Sequence, residues 1–464
     1  MLNISRVLSL TTPLLLISLL HAENLDDVLD GFDEEPTTPS HTEVAGDDVM
    51  EGFDDEVTPT LSNSNREDKK IEKKSVILDG FTGKLTQQVA YSYSDDSPHD
   101  NISSLKSSLL LDYEYKFSNG FKFKTNAKAY YDAIYTIRGR ENYSDDELDA
   151  LEDEVELFDA YLEGSLSSNL DMKVGRQVVV WGRSDTIRIT DVLNPLDNRR
   201  PAMVDIEDLR LPVAMAKLDY FLGDWRITPI AVVEQRFSKN PPSGSAFNLS
   251  PHSLPTNQSY SDITPALSIG GEFSGWDINF YASQLRDDRG YFDGDKLKHD
   301  RVNMLGTAVN ILKGSWLLKS ELAYFDGLKY TSAPNEEFTR TDALVGLEYN
   351  GIADTLISYD VAVRNMNDYD ERLKRESLEV KERTYQHALR MSSDFMNATL
   401  HANYLISLFG STMDEGGFQR AWVKYDIKDG VYVNLGVVDY MGGSKSFDAV
   451  SNNDMIFTDI SYSF

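Results

Sequence analysis

Residues 121–137, FKFKTNAKAYYDAIYTI, alternate for their whole length. Phe121, Phe123, Thr125, Ala127, Ala129, Tyr131, Ala133, Tyr135 and Ile137 share one face; Lys122, Lys124, Asn126, Lys128, Tyr130 and Asp132 share the other, because successive strand side chains point to opposite sides. Such a run is too long for an ordinary soluble strand. It fits a tilted strand held between lipid and a watery lumen. The preceding LDYEYKF (111–117) repeats the pattern, and SNG (118–120) joins the two as a hairpin. Near the end, RAWVKYDI (420–427) turns through KDG into VYVNLGVV.

Continued along the chain, this reading predicts an all-β transmembrane antiparallel barrel over 75–464, of about 18 strands, with 16 as the alternative count. The third strand is expected over 121–137, the fifth over 170–183 and the fifteenth over 398–417. Short turns alternate with long loops, as they do when every long loop lies on one side of the membrane. The chain has 24 Tyr and 21 Phe, a high aromatic content for so acidic a protein. No apolar run is long enough for a membrane helix, which leaves the barrel as the spanning solution.

Two segments precede the barrel. Residues 1–22 carry Arg6, an apolar run and a terminal Ala22, the pattern of a signal peptide. Residues 23–74 hold 17 acidic and 5 basic residues, and so acidic a segment is expected to be disordered. Within it a short phrase recurs: Val28, Leu29, Asp30, Gly31, Phe32, then Val49, Met50, Glu51, Gly52, Phe53. A third variant, Leu78, Asp79, Gly80, Phe81, abuts the first strand. Val28, Leu29 and Phe32 would share one face of a short helix. The phrase is therefore expected to be a docking motif, tethered by a flexible linker, for a partner or an assembly factor. A merely solvating tail would need no such repeat.

The net charge of −31 excludes nucleic acid as a partner. With no cysteine there are no disulfides, thiolate metal sites or lipid anchor. No metal-ligand cluster, phosphate loop or distinctive carboxylate pair is present, so no cofactor and no enzymatic activity are expected. His387 and His401 lie in predicted strands near Ser392 and Ser407, without an active-site serine motif around them.

The loop 185–212, DTIRITDVLNPLDNRRPAMVDIEDLRLP, is too apolar to stand free in water. It is expected to fold into the lumen and narrow it, with Arg188, Asn194, Pro195, Asp197, Arg199, Arg200, Asp205 and Glu207 inside. Arg176 is anomalous, since strict alternation places it with Val174 toward lipid, where an arginine costs about 2–4 kcal/mol at the midplane. Either a bulge at Gly175 turns it inward to pair with an acidic residue of this loop, or it lies at the membrane interface and snorkels to headgroups. In loop 143–156, Ser144 and Glu147 have capping-box spacing ahead of Leu148, Leu151 and Val155, which predicts a short outer helix.

The stretch from Gly175 to Pro212 resembles a family of Gram-negative outer-membrane β-barrels known only as a domain of unknown function. Gly175, Arg176, Gln177, Trp181, Gly182, Asn194, Pro195, Asp197 and the Leu211–Pro212 pair carry the resemblance. The family often accompanies inner-membrane transporters of the resistance-nodulation-division class and a periplasmic protein of the lipoprotein-carrier type. The resemblance implies an outer-membrane component of a trans-envelope system for lipids or hydrophobic compounds. A diffusion porin and a structural or adhesive barrel are the alternatives. The closing segment DMIFTDISYSF also resembles the signal read by the barrel assembly machinery, with Tyr462 and Phe464 as its aromatic end. Outer-membrane lipids would surround the whole.

Overall fold

A computed structural model describes residues 80–94, 101–204, 206–248, 259–294 and 296–464, apart from the side chains of Ile206 and Glu207. The predicted signal peptide, the tail and its two repeats (Val28 to Phe53), and Leu78, Asp79 and Asp205 lie outside the described residues.

Period-two segments pair with their chain neighbours all the way round to make one 18-stranded antiparallel sheet. The strands are β1 Phe81–Ser92, β2 Asn101–Lys116, β3 Lys122–Asp132, β4 Asp153–Ser167, β5 Leu170–Gln177, β6 Val213–Leu222, β7 Trp225–Val232, β8 Thr264–Phe273 and β9 Trp276–Arg286. They continue as β10 Arg301–Lys313, β11 Trp316–Tyr330, β12 Ala333–Ile352, β13 Thr355–Met366, β14 Arg383–Phe395, β15 Leu400–Phe409, β16 Gly417–Lys428, β17 Val431–Met441 and β18 Met455–Ser463. A small hairpin, Tyr291–Asp293 with Lys296–Lys298, lies in the loop before β10. β1 pairs with β18, from Lys84↔Ser463 to Tyr91↔Ile456, so the sheet closes on itself. Closure leaves no open edge in the wall.

Alternation decides what faces out. On β11 and β12, Leu318, Leu322, Tyr324, Val345 and Leu347 are exposed, while Lys319, Glu321, Asp342 and Glu348 between them are buried inside. That is the polarity a barrel takes in lipid. Aromatic rings gather at the end that carries the chain termini and the short turns. Trp276 stacks on Phe273 at 4.4 Å, Trp316 meets Tyr349 at 4.4 Å, and Phe81 meets Tyr113 at 4.7 Å, a girdle suited to a membrane interface. Gly83 and Phe464 exchange backbone hydrogen bonds of 2.8 and 2.9 Å, and the Phe464 ring covers the space a Gly83 side chain would need. Strand lengths are uneven. β5 and β7 have 8 residues each, whereas β12 has 20.

Several boundaries differ from the sequence reading, three of them for reasons that bear on the site. β3 ends at Asp132, and Ile134–Arg138 form a short helix, α1, although the alternation continues through Ile137. The cause is Asp132, whose buried carboxylate accepts hydrogen bonds from the backbone of Leu105 and Ile134 and from Ser104, which turns the chain inward. β5 stops at Gln177, because the following residues are held by the next loop rather than by a neighbouring strand. β15 ends at Phe409 and leaves a turn before β16. The outer helix α2, Asp145–Leu151, forms with Ser144 as its cap, its hydroxyl accepting from the Glu147 N–H at 3.1 Å.

Candidate functional site: a loop across the lumen

Every long loop lies at the end opposite the termini. The loop between β5 and β6 turns inward and crosses the barrel. Its base is closed by Asn194, which is 2% exposed. The Asn194 side chain accepts from the Val179 N–H at 2.9 Å and donates to the carbonyls of Gln177 and Leu211 at 3.3 and 2.9 Å. The Pro195 carbonyl accepts from the Leu211 N–H at 2.8 Å.

From this base one limb runs toward β9–β13. Trp181 stacks on Tyr281 at 4.7 Å. Gly182 follows with φ +90°, and a β-carbon there would come within 2.8 Å of the Glu321 carboxylate. Only glycine allows this approach. Glu321, on β11, accepts from the Arg183, Ser184 and Thr190 N–H groups at 2.6, 2.9 and 3.1 Å and from the Thr190 hydroxyl at 2.7 Å. Asp360, on β13, accepts from Ser184 and Thr186 hydroxyls, both at 2.6 Å. Arg183 pairs with Asp277, and Lys319 bridges Asp185 at 3.1 Å and Glu348 at 2.8 Å. Ile187 and Ile189 are 1% and 2% exposed, each burial contributing about 2 kcal/mol relative to exposure.

The other limb runs the opposite way. Arg199 pairs with Asp197 and Glu154, and Arg200 pairs with Asp132 at 2.9 Å. Met203 packs with Ala90, Val438 and Phe457, and Tyr440 donates to the Pro201 carbonyl at 2.6 Å. One loop thus contacts β1, β3, β4, β17 and β18 on one side and β9, β11 and β13 on the other. Arg199 and Asp197 favour each other's charged form: against the effect of burial, the neighbouring carboxylates push the guanidinium's pKa up, and Arg199 pulls the Asp197 carboxyl down.

Arg176 does not pair with an acidic residue of this loop. Its guanidinium meets Glu156 of β4 at 3.2 Å and Glu234 at 3.5 Å, and donates to the Leu157 and Pro212 carbonyls. Nor is there a bulge at Gly175, where the pairing with both neighbouring strands is unbroken. Instead Gly175, the residue before Arg176, takes φ +130° with its α-carbon against the Ala160–Tyr161 backbone of β4. The bulge lies one strand away, where Phe158 and Asp159 both face Asn126. Of the third tail phrase, Gly80 accepts from the Glu114 N–H at 3.0 Å and Phe81 opens β1. Glu207 falls in a short helix, Ile206–Leu209. His387 meets Tyr359 at 3.0 Å and His401 lies between Asp394 and Asp426.

Sequence reasoning missed the wall residues Glu321, Asp360, Asp277 and Asp342. Their signal is a carboxylate at an inward position between apolar outward ones, and most strands of a barrel show it.

Over the second limb, Glu147 of α2 is 2% exposed and close to Tyr135 and Arg200. Burial raises its pKa to about 7, against the opposing pull of Arg200 and a Tyr135 hydrogen bond. An acid raised on folding is bound to its proton in the folded form first. The packing of α2 therefore gains stability as pH falls from about 7 toward the ordinary carboxylate value, and loses that gain above it. Backbone hydrogen exchange on 145–151, corrected for intrinsic rate, is expected to be about ten-fold slower at pH 5.5 than at pH 8, as about 1.4 kcal/mol would produce. In Glu147→Gln the two values should coincide.

Residues 99–464 match the family model described as "Protein of unknown function (DUF1302)". The chain belongs to this family. Trp181, Gly182, Asn194 and the Leu211–Pro212 pair, by which it resembles the family, are the residues that close the DUF1302 loop and dock it on the wall. No curated protein matches the chain. Among solved structures, the outer membrane protein OpdK of Pseudomonas aeruginosa is 10% identical with a TM-score of 0.50, over 83% of this chain and 99% of its own. A BenF-like porin from Pseudomonas fluorescens Pf-5 is 12% identical with a TM-score of 0.51, over 83% and 97%. OccK2 (OpdF) of Pseudomonas aeruginosa is 13% identical with a TM-score of 0.51, again over 83% and 97%. At these identities the likeness concerns the fold.

Proposed function

We propose that this DUF1302 chain is an outer-membrane channel, without enzymatic activity, that admits selected small molecules. One observation carries the reading: a loop anchored by hydrogen bonds to both sides of a closed 18-strand barrel. A barrel of this size has a lumen wide enough for solutes unless something fills it. A fixed loop of mixed charge and apolar surface turns a general pore into a selective one. The outer-membrane place rests on the apolar outer face, the aromatic girdle and the porin fold. Reconstituted into liposomes, the full chain should pass small solutes with a sharp size limit. Failure to pass any ion or solute would end the channel reading.

The repeated tail phrase favours a second, compatible reading, in which the channel is the outer stage of a trans-envelope route for lipids or hydrophobic compounds. The tail would then hold a periplasmic or inner-membrane partner. Phe32→Ala with Phe53→Ala should reduce partner recovery by affinity capture several-fold while the barrel assembles normally. Equal recovery would leave the tail as solvating chain only.

A further inference from the structure

We infer that a pocket between the 185–212 loop and the β7–β13 wall binds a small amphipathic carboxylate, an anion with an apolar body. This names the substrate class of the proposed channel and rests on that reading. The pocket has a volume of about 310 Å³, at the lower end for small-molecule sites. One part is apolar, formed by Leu285, Val302, Phe325 and Leu328 from strands β9 to β11 and by Val192 from the loop. The other part is cationic, with Arg188 from the loop, Arg340 from β12 and Arg364 from β13. The two parts touch, because the Arg340 guanidinium lies over the Phe325 ring at 4.6 Å.

The charges around the cationic part do not balance. Arg188 and Arg210 both donate to the same oxygen of Asp191, at 3.0 and 2.8 Å. Asp342 is held by Arg340 through two bonds of 2.8 and 2.9 Å. Arg364 stands 3.9 Å from that carboxylate. Its hydrogen bonds go to neutral oxygens, the Gln386 side chain at 3.0 Å and the Arg188 carbonyl at 3.2 Å. Four guanidiniums therefore share two buried carboxylates. The lining as a whole carries five guanidiniums and five carboxylates, so the excess is local to the corner of Arg340 and Arg364, and the other charges have partners of their own. Arg236 pairs with Glu156 and Arg286 with Asp262. Glu234 accepts from the Ala214 N–H and meets Arg176, Asp287 meets Arg289, and Asp288 accepts from the Ser238 N–H and hydroxyl.

A half-buried surplus of positive charge is unfavourable until an anion joins it, and planar guanidiniums accept a carboxylate through paired, charge-assisted bonds. The adjoining apolar wall has no use for a bare inorganic anion. It selects a carboxylate with a hydrocarbon or aromatic body, and the loop fixes that body against the wall.

The test is isothermal titration at pH 7.5 of the full chain in amphipol, with three probes: 4-phenylbutyrate, 4-phenylbutanol and acetate. The site predicts one 4-phenylbutyrate per barrel, with the alcohol and acetate each at least ten-fold weaker. Arg364→Gln should weaken 4-phenylbutyrate at least ten-fold, and Leu285→Trp, which fills the apolar part and leaves the arginines, should abolish its binding. Heat-modifiable mobility on gels checks that each variant is folded. If Arg364→Gln does not fold, Leu285→Trp alone decides, and unchanged binding there overturns the proposal. Equal affinity for acid and alcohol also overturns it. Solute passage without 4-phenylbutyrate binding would discard the pocket and keep the channel; binding without any passage would discard the channel instead.

Discussion

Glu321→Ala is expected to open the channel. The side chain receives three backbone N–H groups and one hydroxyl from the loop, in a site that water does not reach. Its removal leaves three buried N–H groups and one hydroxyl without this partner, at about 1–3 kcal/mol for each N–H. The docking of the limb 181–191 would lose about 4–6 kcal/mol, more than the burial of Ile187 and Ile189 can offset. Single-channel current in planar bilayers should rise several-fold over the wild type and become noisier as the limb moves. Asp360→Ala, which removes two hydroxyl partners, should do the same more weakly, and the double variant most strongly. Conductance equal to wild type in the double variant would show that the limb does not limit the path.

Gly175→Val should sharply reduce recovery of the assembled barrel. A β-carbon at residue 175 would lie 2.2 Å from the Ala160 carbonyl oxygen and 2.7 Å from the Tyr161 α-carbon, both parts of the neighbouring backbone. The φ of +130° adds strain for a branched residue. Overpacking and backbone strain each cost about 1–3 kcal/mol, and here the colliding atoms cannot rotate away. The folded, heat-modifiable fraction recovered from membranes should fall several-fold below wild type, since losses of even about 1–2 kcal/mol change abundance several-fold through proteolysis of unfolded chains. Gly120→Asn is the control. Its φ of +86° lies in a hairpin turn with open space around it, where asparagine is tolerated, so recovery should stay near normal. Normal recovery of Gly175→Val would mean that β4 and β5 can part at this point.

The wall of this protein was legible because alternation is local. Lys122 and Phe123 report their faces without reference to any other part of the chain, and hairpins such as 118–120 give the order of strands. Alternation alone makes the third strand too long for the same reason, since Ala133, Tyr135 and Ile137 keep the period and only the distant partners of Asp132, Ser104 and Leu105, turn the chain. The loop's inward path could be expected from its apolar residues. Its anchors could not, because Gly182 and Thr190 meet Glu321 only after the barrel closes. Arg176 shows the limit most clearly: its pairing was sought within the loop, but the carboxylates that hold it come from β4 and from the residues after β7, which no sequence spacing relates.

The uneven strands bear on the lipid as well. Eight residues at about 3.3 Å each span about 26 Å, and about 20 Å once tilted by 40°, against an apolar band of about 25 Å for such barrels. Irregular backbone is tolerated at membrane depth only where protein covers it, so beside β5 and β7 the regular lipid-facing wall ends near Gln177 and Val232. Beside β12 it has no such ceiling. The wall therefore favours a thinner lipid layer on one flank only, the side of β5 and β7.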